Sequence, residues 1–112
     1  MNIGEIREDL KDIRYYYAHK DVFESAAREN VYNDVIRKVR KYTALVEKAP
    51  PILFDLYVSL YMLNNTQAAF AYDRDYTTNY IKELNNKLCL YILDTVKQQG
   101  GESQWNGAYR NS

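Results

Sequence analysis

Apolar positions recur along this chain with a helical period. Ile3, Ile6, Leu10, Ile13 and Tyr17 follow one another at gaps of 3, 4, 3 and 4. That is an apolar stripe repeating every seven residues, with charged positions between. Asn2 is placed to cap this helix and Glu5 to complete a capping box, so the first helix is expected to begin at Ile3. The stripe breaks after Tyr17, because Lys20 and Glu24 occupy the next seam positions. Val22, Phe23, Ala26 and Ala27 form an apolar group on a shifted face, so residues 20–28 read as a kinked continuation or a short separate helix. A second long helix is expected from about Val31 to Lys48, where Tyr32, Val35, Val39, Tyr42 and Val46 repeat the same gaps. Two such stripes joined by a short connection predict an antiparallel helical hairpin over residues 1–49. Two heptads per helix are marginal alone, so the hairpin should pack on the C-terminal half or on a second copy.

Ala49-Pro50-Pro51 stops the second helix, and Pro51 suits the first turn of the next. Ile52, Leu56, Leu60 and Leu63 give that helix a buried stripe, flanked by Leu53, Tyr57 and Tyr61. Asn64-Asn65 is expected to end it, since Asn tolerates the left-handed conformation. Thr66 then caps a short helix, Gln67–Asp73, with Phe70 inward and Ala71 small where helices approach closely. Arg74-Asp75-Tyr76 forms a turn, and Thr77 caps a long helix whose buried face is Ile81, Leu84, Leu88 and Ile92. A short capped helix, a tight turn and a second capped helix are what a helix-turn-helix requires. The expected fold is therefore all-α: the hairpin, then a three-helix helix-turn-helix domain over 50–98. Residues 99–112 read as a flexible polar tail, in which Trp105 and Tyr109 are spaced to dock on a partner or on the domain itself.

In a helix-turn-helix the second helix presents its first turns outward, so that polar side chains reach base edges in the major groove. Thr78, Asn79, Lys82, Glu83 and Asn86 are the outward candidates, interleaved with inward Ile81 and Leu84. Asn pairs bidentately with adenine, Lys reaches guanine or a phosphate, and Thr contacts a thymine methyl or a phosphate. Thr66, Gln67 and Thr77 stand where helix-start amides hold a phosphate.

The stretch from Pro50 to Leu93 resembles the region-4 domain of sigma factors, and more closely the small phage- and mobile-element-encoded regulators built on it. A preceding helix, a Ser/Thr-Gln/Glu start, a small residue five positions on, an aliphatic-Ser/Thr turn and a later aliphatic characterise that family. Thr66-Gln67, Ala71, Tyr76-Thr77 and Ile81 stand at those positions, and Ile52–Leu63 supplies the helix. The resemblance covers roughly 44 of 112 residues and implies promoter or operator DNA binding through the helix that begins at Thr77. Arg74 stands where the family usually has Leu, and Asp75 where it usually has Gly. Asp occupies a left-handed position at modest cost, whereas a buried Arg would require a partner.

Charge complicates this picture. The chain carries 15 basic and 15 acidic residues, without the positive excess that phosphate neutralisation favours. Between Pro50 and Gln98 four basic residues face five acidic ones. Basic residues gather instead at Arg37, Lys38, Arg40 and Lys41. Arg37, Lys38 and Lys41 would add phosphate contacts if the hairpin lies beside the motif. Tyrosine is over-represented, at 12 of the 16 aromatic residues. Its helical spacings, as in Tyr57 with Tyr61, point to rings packed at the core edge with wet or bonded hydroxyls.

No catalytic constellation, metal-ligand spacing or cofactor loop stands out. His19 is the sole histidine and Cys89 the sole cysteine, the latter in an apolar stretch that suits an inert thiol. The longest apolar-leaning run, Ile52–Leu63, is too short to span a bilayer. The polar N-terminus does not resemble a signal peptide, so the expected setting is the cytoplasm. The leading expectation is a non-enzymatic transcriptional regulator that binds double-stranded DNA, its hairpin serving for homodimerisation or contact with RNA polymerase. The alternative is a helical protein-interaction module with the same fold that does not bind DNA.

Overall fold

The computed structural model describes residues 1–26 and 33–101. Among these the regular elements are all helical. The first helix, α1 (Ile3–Ala18), starts where its cap requires. The Asn2 side chain accepts from the Glu5 amide at 2.9 Å, and Glu5 accepts from the Asn2 amide at 2.8 Å. At His19 the backbone leaves helical geometry (φ −127°, ψ 36°). A separate short helix, α2 (Lys20–Ala26), follows, which decides between the two readings of this segment. Phe23 folds back against Tyr16, with ring centroids 5.4 Å apart, while Val22 points to solvent. Tyr16 is therefore the buried member of the tyrosine triplet, where the stripe had pointed to Tyr17. Tyr17 is half-buried and Tyr15 is exposed. The aromatic ring arriving from α2 covers Tyr16, and a heptad count on α1 alone does not contain that contact.

Helix α3 (Asn33–Val46) buries Val39, Tyr42, Leu45 and Val46. Tyr32 and Ala27, expected to be apolar contacts, lie outside the described residues, as do Trp105 and Tyr109. Along the contact with α1, the Tyr42 hydroxyl donates to Asp9, and the Lys38 ammonium lies 3.0 Å from Asp9 and 2.9 Å from Asp12.

Pro51 opens α4 (Pro51–Tyr57), and the chain continues without a break into a π-helical turn, Val58–Met62. The Leu63 amide bonds the Val58 carbonyl at 2.8 Å, five residues back. This extra residue per turn shifts the face that follows. Leu53, Leu56, Tyr57, Leu60 and Tyr61 are buried, Ile52 is half-buried, and Leu63 is 65% exposed. The regular stripe expected through Leu63 is thus corrected by the widened turn, which carries Tyr61 inward instead. Asn64 ends the helix in the left-handed conformation (φ 60°), as its side chain permits. It is tied to α1 by a reciprocal pair. Arg14 donates to the Asn64 carbonyl at 3.3 Å, and the Asn64 amide group donates to the Arg14 carbonyl at 3.4 Å.

The last two helices are α5 (Gln67–Arg74) and α6 (Thr78–Val96), followed by a π-helical turn, Lys97–Gly101. Buried side chains from α1 through α6 form one cluster. Its polar tips are satisfied locally: Tyr57 shares a 2.9 Å bond with Thr43, Tyr61 donates to Asn85 at 2.6 Å, and Tyr91 donates to the Leu45 carbonyl at 3.0 Å. Among the described residues no helix is long and apolar enough to cross a membrane.

Candidate nucleic-acid interface

Two threonines set the starts of α5 and α6. Thr66 Oγ1 accepts from the Ala69 amide at 3.0 Å, and Thr77 Oγ1 accepts from the Tyr80 amide at 3.1 Å. Both caps have extended backbone, which satisfies an orphan amide of the first turn. Each hydroxyl keeps its proton available to a further acceptor. Phe70 and Ala71 are buried beneath α5.

The connection between the helices closes on a left-handed Asp75 (φ 59°, ψ 36°). The Tyr76 amide bonds the Ala71 carbonyl at 2.9 Å, and the Asp75 amide bonds the Tyr72 carbonyl at 3.4 Å. These two bonds make a Schellman closure with Asp where Gly is the usual occupant. Arg74 is not buried, being 39% exposed. It pairs with Asp55 of α4 at 3.3 Å, with its guanidinium 4.7 Å above the Phe70 ring. The partner that an arginine at this position requires therefore comes from the preceding helix.

From Thr77, α6 buries Ile81, Leu84, Leu88, Cys89 and Ile92. Thr78, Asn79, Lys82, Glu83 and Asn86 are all exposed. Asn79, Lys82 and Asn86 step by 3 and 4 and so share one face of the helix. Thr66 and Thr77 are exposed and Gln67 is half-buried. Beside this face stands a group that local sequence reading did not single out. Arg7 of α1 donates through Nη2 to Asn86 Oδ1 at 2.6 Å, across 79 residues of sequence. The one available signal was the seven-residue spacing of Arg7 and Arg14, which puts both on the same edge of α1. Arg7 also brings its charge close to the buried Cys89 thiol. Burial raises the thiol's pKa, and the arginine only partly opposes this. A thiol of that kind is a poor nucleophile.

The α3 cations sit elsewhere. A cleft of about 240 Å³ is lined by Asp9, Asp34, Arg37, Lys38, Lys41 and Tyr42. Arg37 pairs with Asp34 at 3.3 Å, and Lys38 is held between Asp9 and Asp12. Burial works against the charge on Lys38, but its bonds to Asp12 and Asp9 outweigh that and raise its pKa. Arg7 and Asp9 are two residues apart, about 200° around the helix. Thus α1 lies between this cleft and the exposed face of α6, and the structure does not bring Lys38 to Asn79 or Lys82.

The rim of α6 is mixed in character. Exposed Asp73, Asp75 and Glu83 accompany Lys82. Tyr76 and Tyr80 stack edge to face at 4.9 Å, and Tyr72 is 85% exposed. Compared with known proteins, the chain matches no family model, no curated sequence and no solved structure.

Proposed function

We propose that this chain is a DNA-binding transcriptional regulator, its second half a sigma region-4-like helix-turn-helix of phage or mobile-element type. The helix from Thr77 enters the major groove. Thr66, Gln67 and Thr77 hold phosphates at the two helix starts, while Thr78, Asn79 and Lys82 face the bases. The N-terminal helical hairpin serves as the dimerisation surface or as a contact for RNA polymerase in the cytoplasm. One observation carries the reading: the first turns of α6 are capped, anchored from beneath by Ile81 and Leu84, and exposed at Thr78, Asn79 and Lys82. A helix in the major groove needs that combination of rigid base and uncovered rim.

Enrichment of duplexes from a random pool at low salt, followed by fluorescence polarisation, tests it. The expected outcome is recovery of a preferred sequence whose binding is lost in the Asn79→Ala, Lys82→Glu double variant. An unenriched pool, or a double variant that binds as wild type does, rejects it. A second reading, a protein-interaction module without DNA binding, draws on Asp73, Asp75 and Glu83 beside exposed Tyr72. Such a surface repels phosphates and suits a basic protein partner. That reading gains if the duplex pool is not enriched.

A further inference from the structure

The helix-turn-helix segment has more carboxylates than cations, yet α1 delivers a cation to its flank. Arg7 is exposed and bonds a neutral amide, and among the described residues no carboxylate lies within ion-pair distance of it. The carboxylates flanking it most closely in sequence are engaged elsewhere, although exposed Glu83 lies one turn before Asn86 on α6. Glu5 completes the α1 cap, and Glu8 pairs with Lys11 at 3.3 Å. A guanidinium has five N–H donors, and the bond to Asn86 leaves others for a further acceptor.

Position along α6 assigns those donors a target. Asn86 follows Asn79 by seven residues, about 10 Å along the helix axis. The major groove is about 12 Å wide. When Asn79 lies at the base edges, Asn86 and Arg7 therefore reach the groove wall, where the phosphates are. The bond from Arg7 also engages Asn86 Oδ1, the atom that would accept from an adenine amino group, and leaves the amide N–H groups of this exposed residue as its donors. We infer that Arg7 and Asn86 together form a phosphate clamp at the edge of the DNA interface, leaving base recognition to Asn79 and Lys82. This rests on the DNA-binding reading and extends the interface onto α1, outside the helix-turn-helix segment.

The test uses the full chain and the duplex enriched above, with unrelated duplexes for comparison. Arg7→Gln should weaken binding roughly tenfold at low salt, equally for preferred and unrelated duplexes, as expected for a lost charge-assisted bond. It should also make the slope of log affinity against log salt shallower by about one. Arg7→Lys keeps the charge and should restore the slope, which a merely structural role would not do. Lys11→Ala, on the same helix but paired with Glu8, should leave the slope unchanged. Circular dichroism melts confirm that each variant is folded, and if Arg7→Gln is not, Asn86→Ala takes its place with the same expected uniform loss. If wild type binds and Arg7→Gln keeps its affinity and slope, the clamp is overturned while DNA binding stands. If Arg7→Gln loses affinity only for the preferred duplex, Arg7 reads bases and the clamp is overturned. If wild type binds no duplex, both fall.

Discussion

Three tyrosines show how far burial controls single residues here. Tyr57 is 0% and Tyr61 9% exposed, and burial pushes both phenols up to about 12; for Tyr61 the neighbouring Cys89 adds to the rise. Burial also raises Tyr42, and the hydrogen bond its hydroxyl donates to Asp9 raises it further. An unfolded tyrosine ionises near pH 10. Between roughly pH 10 and 12 the unfolded chain therefore holds fewer protons than the folded one, and stability must fall as pH rises through this window. Each unit of difference is worth about 1.4 kcal/mol, so Tyr57 and Tyr61 together place several kcal/mol at stake. Urea midpoints measured across this window should drop steeply, and Tyr57→Phe should make the drop shallower. A midpoint flat from pH 10 to 12 would mean that these rings are wet. The tyrosine excess alone pointed to core-edge packing, but choosing Tyr16 over Tyr17 required the ring from Phe23, which lies across a helix break.

At the scale of elements, local signals read well wherever the physics is local. The Asn2–Glu5 box, the Pro51 start, the Thr66 and Thr77 caps and the left-handed Asn64 all act within four residues of themselves. The π turn at Val58–Met62 has no comparable signature. The turn itself packs against α1, and Leu63 beyond it faces outward. Asp75 shows a local rule broken at small cost. Its φ of 59° is a conformation that glycine adopts freely and other residues pay to enter. Asp75→Gly should therefore raise the unfolding free energy by about 0.5–1 kcal/mol, and it also removes a carboxylate from the rim of α6. Chemical denaturation reads the first effect. Affinity for the enriched duplex reads the second and should increase. An unchanged or lower unfolding free energy would show that the Asp75 side chain supports the turn in a way its backbone does not reveal.

For the whole molecule, the all-helical class was written in the 3.6-residue period, but the neighbours of each helix were not. Arg7 beside Asn86 and Arg14 beside Asn64 join residues 79 and 50 positions apart, and nothing near either arginine announces its partner. Within the basic cluster at Arg37–Lys41, packing pairs Lys38 with Asp9 and Asp12 of α1, a contact invisible in the local sequence, while Arg37 pairs with Asp34 of its own helix. The same packing bears on the division expected at Pro50. Ile6, Leu10, Ile13 and Tyr16 of α1 belong to the cluster that contains Leu60, Leu88 and Ile92. Burying an aliphatic or aromatic side chain is worth about 1.5–3 kcal/mol. Removing these four would forfeit roughly 6–12 kcal/mol, an upper estimate comparable with the entire stability of a small domain. A fragment comprising residues 50–98 should consequently melt without a cooperative transition, while the full chain unfolds in one step. Adding α1 back as a peptide should recover helical signal. A fragment that unfolds cooperatively near the full-length midpoint would show that α1 is a dispensable partner of the C-terminal half, and that the one continuous core overstates their dependence.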